Sequence, residues 1–243
     1  MSTLYQSNSM QLCRWHSFSS LTSLENTATQ TILDSAQHAI QQRGAFHLVL
    51  AGGNTPKQIY KKLRESVADW HRWHIYFGDE RCLPSNHPDR NSLMAADAWL
   101  AHVGIPRQQI HFIPAELGAK IAAQRYAEII STVKQLDLVL LGLGEDGHTA
   151  SLFPKQESGK DAHAPATLAV FNAPKPPAER VSLSANRLSA AHQVLFLITG
   201  KNKAQALQEW RDGVDLPAAA IRPENGVDIF VEDFVDSSAK ASK

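Results

Sequence analysis

The chain has 243 residues, 43% of them hydrophobic, which is enough for one large α/β domain or two small ones. Its 24 basic residues are balanced by 24 acidic ones, so no net field draws it to nucleic acid or to an acidic membrane surface. The longest apolar runs are strand-length, which excludes a bilayer-spanning helix, and the start (Ser2, Thr3, Gln6, Ser7, Asn8) lacks the apolar core of a signal segment. Cys13 and Cys82 stand far apart without a pairing pattern, which suits a reducing, cytoplasmic setting.

Residues 1–20 read as an edge segment with a short strand over Cys13–Phe18. From Leu24 to Gln42, apolar residues (Leu24, Ala28, Ile32, Ala36, Ala39) recur near the helical period, and Arg43-Gly44 ends the helix. Phe46 to Ala51 is an apolar strand. Gly52-Gly53-Asn54-Thr55-Pro56 follows, and a helix runs from about Pro56 to Arg64 behind an Asn/Thr cap. Strand, glycines and helix N-terminus in that order turn free N–H groups toward an anion, although an ordinary capped helix has the same look. The lysine-bearing pattern of a P-loop is absent.

Trp73 to Phe77 is a third strand ending in Gly78-Asp79-Glu80-Arg81; alone these charges would read as a solvated loop, but directly after a buried strand they read as functional. His71 and His74 lie beside tryptophans and read as packing or surface residues; no His or Cys spacing fits a zinc site. Ser92 to His102 reads as helix, Ile110 to Ile113 as a short strand and Leu117 to Lys134 as helix. Next comes the most informative stretch, Leu136 to Pro154. Leu138 to Leu141 is an uninterrupted apolar run, the pattern of a strand buried on both faces in a parallel sheet. Gly142, Gly144 and Gly147 then allow a sharp turn, with Asp146 and His148 two residues apart at its mouth. The glycines fit the dinucleotide pattern G-x-G-x-x-G. Pro154, however, follows too soon for a long helix, and no acid ends the next strand candidate, Thr167 to Phe171. Acid/base chemistry explains the Asp-Gly-His better.

Arg180 to Leu183, Val194 to Thr199 and Val227 to Val231 read as further strands. Gly200-Lys201-Asn202-Lys203 opens a helix to about Trp210, Pro217 starts a short helical turn, and a polar helical tail ends the chain. The alternation of strand and helix gives an α/β fold, a doubly wound, mostly parallel sheet with helices on both faces. The reading is one domain over residues 1–243, with its core from about 24 to 234.

Leu50 to Pro56, Gly78 to Arg81, Asn91-Ser92, Asp137 to Pro154, Arg180 to Leu183 and Gly200 to Lys203 together resemble the 6-phosphogluconolactonases, in that family's order. The run Asp146-Gly-His-Thr-Ala-Ser-Leu-Phe-Pro154 is the most specific part. The resemblance implies the modified Rossmann-type fold shared with glucosamine-6-phosphate deaminases. It also implies hydrolysis of 6-phospho-D-glucono-1,5-lactone to 6-phosphogluconate in the oxidative pentose phosphate pathway, with no cofactor and no metal. The partner it implies is the phosphorylated sugar lactone; nucleic acid and membrane are not expected, and monomer or homodimer stays open. Three positions depart from the pattern: Asn54 for a usual Ser, Ser182 for a usual Thr, and Arg90 where Ser is common.

Within that resemblance His148 activates water and protonates the leaving ring oxygen, since imidazole titrates near neutrality. Asp146 or another acid orients it. Asp79 and Arg81 position water or sugar hydroxyls, and backbone N–H groups from Gly144 to Gly147 hold the oxyanion. The phosphate rests on the turn Gly52, Gly53, Asn54 and Thr55, with Arg180 and Lys203 as charge partners. A deaminase would need Asp-Glu-Tyr at Asp79-Glu80-Arg81 and Ala-Phe-Asn-Glu-Pro where Ser151-Leu152-Phe153-Pro154 stands. A sugar-phosphate sensor would need a DNA-binding module, for which there is no room before Leu24.

Overall fold

The computed structural model describes residues 11–233, so the expected polar tail beyond that point lies outside the described residues. Strand β1 (Cys13–Phe18) is followed by α1 (Leu21–Arg43). The helix starts three residues before the expected Leu24 because the Ser20 side chain accepts from the Ser23 N–H, and it ends on Gly44 at φ 81°. Then come β2 (Phe46–Leu50), α2 (Asn54–Arg64) and β3 (Trp73–Phe77). The N-cap of α2 is Gly53, with no side-chain cap, so the expected Asn/Thr cap is corrected. The Thr55 hydroxyl instead meets that of Thr199 at 2.6 Å, tying the helix start to a neighbouring strand end.

Asp79–Arg81 is strand β4 and not a loop, and α3 (Asn91–Ala98) follows. The expected single helix to His102 breaks at Trp99 (φ −152°, ψ −59°), whose ring joins a buried cluster with Tyr60, Trp70 and Trp73; a 3₁₀ turn over Leu100–His102 remains. Ile110–Ile113 makes only a single bridge, Ile75 to Ile110. Helix α4 (Ala119–Ser131) leads into β5 (Leu136–Leu141), every residue of which is buried. The remaining elements are β6 (Thr167–Val170), β7 (Arg180–Leu183), a short helix α5 (Ala185–Ser189) absent from the sequence reading, β8 (Ala191–Ile198), α6 (Ala204–Arg211) and β9 (Val227–Glu232).

Six strands form one all-parallel sheet in the order β1-β9-β8-β5-β2-β3. The chain winds from β2 outward to β3, then returns to β5 and winds the other way, so the topological switch lies between β2 and β5. That is where an open α/β sheet offers a crevice at its carboxyl edge. Phe46 and Trp73, register partners, meet the aromatic cluster of α2 and α3 on one face. On the opposite face Tyr76 lies toward α4 and α5, near Tyr126 and Arg187. A second, three-stranded antiparallel sheet, β4-β7-β6, leans against the carboxyl edge and was not foreseen.

Two buried tyrosines fix the strand ends that border the crevice. The Tyr60 hydroxyl accepts from Ala51 N (3.0 Å) and donates to Ala51 O (2.8 Å) after β2. The Tyr126 hydroxyl does the same with Phe77 N (2.9 Å) and O (3.1 Å) at the end of β3. Each satisfies two backbone groups where the ladder stops, groups that would be costly to leave unpaired.

Beside β2 and β3, the half-buried His47, His74 and His111 gather around Tyr76, which is buried. His74 Nδ1 faces His111 Nε2 at 3.4 Å and His47 Nδ1 faces the Tyr76 hydroxyl at 3.4 Å, while the His47 ring lies over His74 and the Tyr76 ring over His111. Burial, then His74 and His47, push His111 down from 6.5 to about 4; burial also lowers His47 and His74. The unfolded chain therefore binds more protons here, and stability falls as pH drops from about 6.5 toward about 4. The loss is expected to be on the order of 2 kcal/mol after allowing for partial exposure. Urea midpoints at about pH 7.5 and pH 5 should show it, and His111→Gln should flatten the slope; equal midpoints in the wild-type protein would contradict the assignment.

Candidate active site

At the switch point lies a cavity of ≈ 180 Å³. Its walls are the ends of β2 (Ala51, Gly52, Gly53) and β5 (Gly142, Gly144), together with Asp79, Arg81, Asn91, His148, Ala150 and Arg180. Seven of the expected site residues therefore come together: Gly52, Gly53, Asp79, Arg81, Gly144, His148 and Arg180. Asn54, Thr55, Asp146, Gly147 and Lys203 are not part of the wall.

The glycine turn after β5 closes on itself. Gly144 N donates to His148 O at 2.7 Å, and Gly147 N donates to Gly144 O at 3.1 Å. These two amides are used inside the turn, so within the Gly144 to Gly147 stretch expected to hold an oxyanion, those of Gly144 and Gly147 are already engaged. Gly147 sits at φ 81° with Leu216 behind it, where a Cβ would come within 2.7 Å of that side chain. The His148 ring lies directly on Gly144, where a Cβ would fall 2.0 Å from Nδ1. His148 Nδ1 meets Asp146 Oδ1 at 2.5 Å, and the ring packs on Phe153 at 4.9 Å. Because a carboxylate accepts, Nδ1 carries the hydrogen and Nε2 holds the lone pair. Burial by itself would raise the Asp146 carboxyl, but the hydrogen bond and charge of His148 outweigh it and hold Asp146 below its ordinary value. Asp146 thus stands behind the imidazole, on its Nδ1 side.

The Asp79-Glu80-Arg81 motif splits by side-chain direction along β4. Asp79 faces the cavity: Oδ1 accepts from Asn91 Nδ2 (3.1 Å) and Oδ2 from the Ser151 hydroxyl (2.6 Å). Glu80, 1% exposed, takes the N–H groups of Asn91 and Ser92 at 2.8 Å each and pairs with buried Arg90 at 3.1 Å. Arg90 also donates to the carbonyls of Leu83 and Ile113. Glu80 and Arg90 therefore hold the start of α3, and removing Arg90 would strand the buried Glu80 carboxylate at about 3–5 kcal/mol, whereas Arg90 also pairs with Glu116 at 3.3 Å. Arg81 donates to Asp89 O and reaches the cavity beside Asp79.

Arg180 is buried, which lowers its affinity for the proton, while Asp79 raises it and Arg81 lowers it further. Its Nε donates to Pro177 O (3.2 Å) and Nη2 to Lys175 O (2.8 Å) and Pro176 O (3.2 Å), and the residue lines the cavity. Phe153 lies between its guanidinium (5.6 Å) and the His148 ring. Lys203 is half-buried on the outer side of the glycine turn. Burial lowers it, Glu145 raises it, Lys175 lowers it and Asp146 raises it. Asn202 Nδ2 bonds Glu145 Oε1 at 2.6 Å, so the Gly200–Lys203 segment is fastened to that turn. Thr55 is tied to Thr199, and Asn54 is exposed at the start of α2.

The sequence reading missed Asn91 and Ser151 as site residues, although both lay inside quoted motifs. Polar side chains at 5% and 1% exposure facing one carboxylate are a signal only the fold reveals.

Residues 19–230 match the family model described as glucosamine-6-phosphate isomerases/6-phosphogluconolactonase. The chain belongs to that family. A 6-phosphogluconolactonase of a Nostoc species is 34% identical over 216 residues, covering 84% of this chain and 88% of the relative. That of Thermotoga maritima is 33% identical, covering 83% and 91%. The crystal structure of a Thermotoga maritima 6-phosphogluconolactonase superposes with a TM-score of 0.84 at 28% identity, covering 91% of this chain and 100% of that one. A monomeric glucosamine-6-phosphate deaminase shares the fold, with a TM-score of 0.77 at 19% identity. Family membership thus agrees with the parallel sheet and its switch-point cavity.

Because the imidazole rests on Gly144, Gly144→Ala must push it off Asp146 and out of line with the cavity. Misplacing a catalytic group by about 1 Å costs on the order of 10²-fold in rate. We expect Gly144→Ala to lower turnover by roughly that factor with little change in melting temperature; unchanged turnover would show that the ring position is not critical.

Proposed function

We propose that this protein hydrolyses 6-phospho-D-glucono-1,5-lactone to 6-phosphogluconate, with His148 as the general acid/base. The observation that carries the reading is the Asp146–His148 pair at 2.5 Å on the rim of a cavity also lined by Asp79, Arg81 and Arg180. Three relatives that carry the lactonase name and share 33–38% identity support the substrate class.

In this reading the lactone carbonyl lies before His148 Nε2. The imidazole takes a proton from water as the oxygen attacks, and Asp146 stabilises the imidazolium that forms. As the tetrahedral intermediate collapses, the same N–H protonates the departing ring oxygen, opening the ester. Asp79 accepts from sugar hydroxyls and Arg81 offers charge to the polar end of the substrate. The phosphate takes the Gly52–Gly53 turn at the start of α2, Arg180 and, from the outer side, Lys203.

A positioned general base contributes about 10² to 10⁴ in rate. His148→Ala is expected to lower kcat by that order while the protein stays folded, measured against spontaneous hydrolysis and with chelator present. Near-normal kcat in that variant would move the role elsewhere. Ammonia release from glucosamine 6-phosphate at a comparable rate in the wild-type protein would overturn the substrate assignment.

Charge-assisted contacts are worth roughly 1.5–3 kcal/mol, so losing one should raise KM by about one to two decades. Arg180→Ala and Lys203→Ala should do this for the phosphorylated lactone with kcat little changed, and should barely affect unphosphorylated gluconolactone. Equal losses on both lactones, or none on either, would show that they do not hold the phosphate.

A further inference from the structure

Ser151 has no part in the chemistry above, yet it is fastened at two points. It is 1% exposed. Its hydroxyl donates to Asp79 Oδ2 at 2.6 Å, across 72 positions of the chain. Its amide donates to Ser182 Oγ at 3.3 Å, and Ser182 is the register partner of Asp79 across β4 and β7. Ser151 therefore links two residues that face each other across β4 and β7 without a backbone bond of their own: its amide holds the Ser182 hydroxyl oxygen and its hydroxyl holds the Asp79 carboxylate.

Ser151 also lies three residues from His148 in the same turn. Thr149 Oγ1 donates to Gly142 O at 2.8 Å, Leu152 N donates to Thr149 O at 2.9 Å, and Ala150 takes φ 48°. The turn is therefore stiff, and a displacement of Ser151 is passed to His148. On the other carboxylate oxygen, Asn91 Nδ2 donates at 3.1 Å and also reaches Asp79 O at 3.0 Å. The Asn91 amide lies against Gly52, where a Cβ would fall 2.1 Å from its Oδ1. Asp79 is thus gripped from the His148 turn on one side and from the glycine turn after β2 on the other.

Ser151 spends its hydroxyl on a carboxylate in the cavity wall, and each oxygen of that carboxylate still has a lone pair for a ligand. Resting on the lactonase reading, we propose that Ser151 is a positioning residue that fixes the Asp79 carboxylate relative to the His148 ring, with Asn91 bracing it from the opposite side. The substrate hydroxyl held by Asp79 and the carbonyl attacked before His148 are thereby held in fixed relation. A single hydrogen bond therefore sets how well both ends fit at once.

A double-mutant cycle tests this. Ser151→Ala is expected to lower kcat on 6-phosphogluconolactone about tenfold, with KM within about threefold, because the phosphate contacts are untouched. Ser151→Thr, which keeps the hydroxyl, should recover most of the loss. In an Asp79→Asn background, Ser151→Ala should change kcat by less than about twofold, since residues acting as a unit are not additive. Cooperative melting of each variant separates misfolding from misalignment. Should Ser151→Ala fail to fold, Ser151→Cys, of similar size with a weaker donor, should give an intermediate kcat. Wild-type kcat in Ser151→Ala, or the same tenfold loss in both backgrounds, would overturn the proposal alone. A wild-type protein with no lactone hydrolysis would overturn the reading and this proposal with it.

Discussion

The turn that closes β5 governs the site. A fully buried strand runs out of the sheet into Gly142–His148, and the loop is fastened when Gly144 N reaches His148 O at 2.7 Å. That bond brings the imidazole down onto Gly144 and leaves the intervening Asp146 carboxylate beside Nδ1. Glycine is required twice for different reasons. At Gly144 the ring occupies the space of a side chain, and at Gly147 the backbone is left-handed with Leu216 behind it. The fold therefore orients His148 through the backbone before any ligand arrives, which is what the proposed acid/base role requires.

Around this turn the carboxyl edge separates charges that hold structure from charges that face the cavity. Glu80 and Arg90 are neighbours of the site in sequence and space, but they are buried against each other and anchor the start of α3. Arg187, also buried, donates to Val133 O at 2.7 Å just beyond α4 and to Ile130 O in its last turn at 3.5 Å. Asp79, Arg81 and Arg180 remain at the cavity, with the two arginines facing each other across β4 and β7. One strand position decides the outcome: alternation along β4 sends Asp79 and Arg81 to one side and Glu80 to the other. Two tyrosine hydroxyls, from α2 and α4, fix the strand ends that form the crevice.

Much of this was legible in the residues. Trp73–Phe77 and Arg180–Leu183 are strands over the ranges read from the sequence, because apolar or alternating runs bounded by turn signals leave few other choices. The parallel sheet followed from alternation of strand and helix. What failed was non-local. Asp79–Arg81 is a strand only because β7 pairs with it, and three charged residues carry no local trace of that partner. Ile110–Ile113 has a strand's composition but a single bridge, since β3 is met there at one residue only. The cap of α2 was assigned to Asn54 or Thr55 by residue type, whereas the Thr55 hydroxyl is engaged by Thr199 from across the sheet. In the site, His148 and Asp146 were visible as a motif, while Ser151 and Asn91 gained meaning only once Asp79 lay between them.

The ¹⁵N chemical shifts of the His148 ring at neutral pH test the central claim most directly. A hydrogen on Nδ1 and a bare Nε2, with the pattern lost in Asp146→Asn, is the result expected from the 2.5 Å contact and the closed turn. A hydrogen on Nε2, or a pattern indifferent to Asp146, would contradict it.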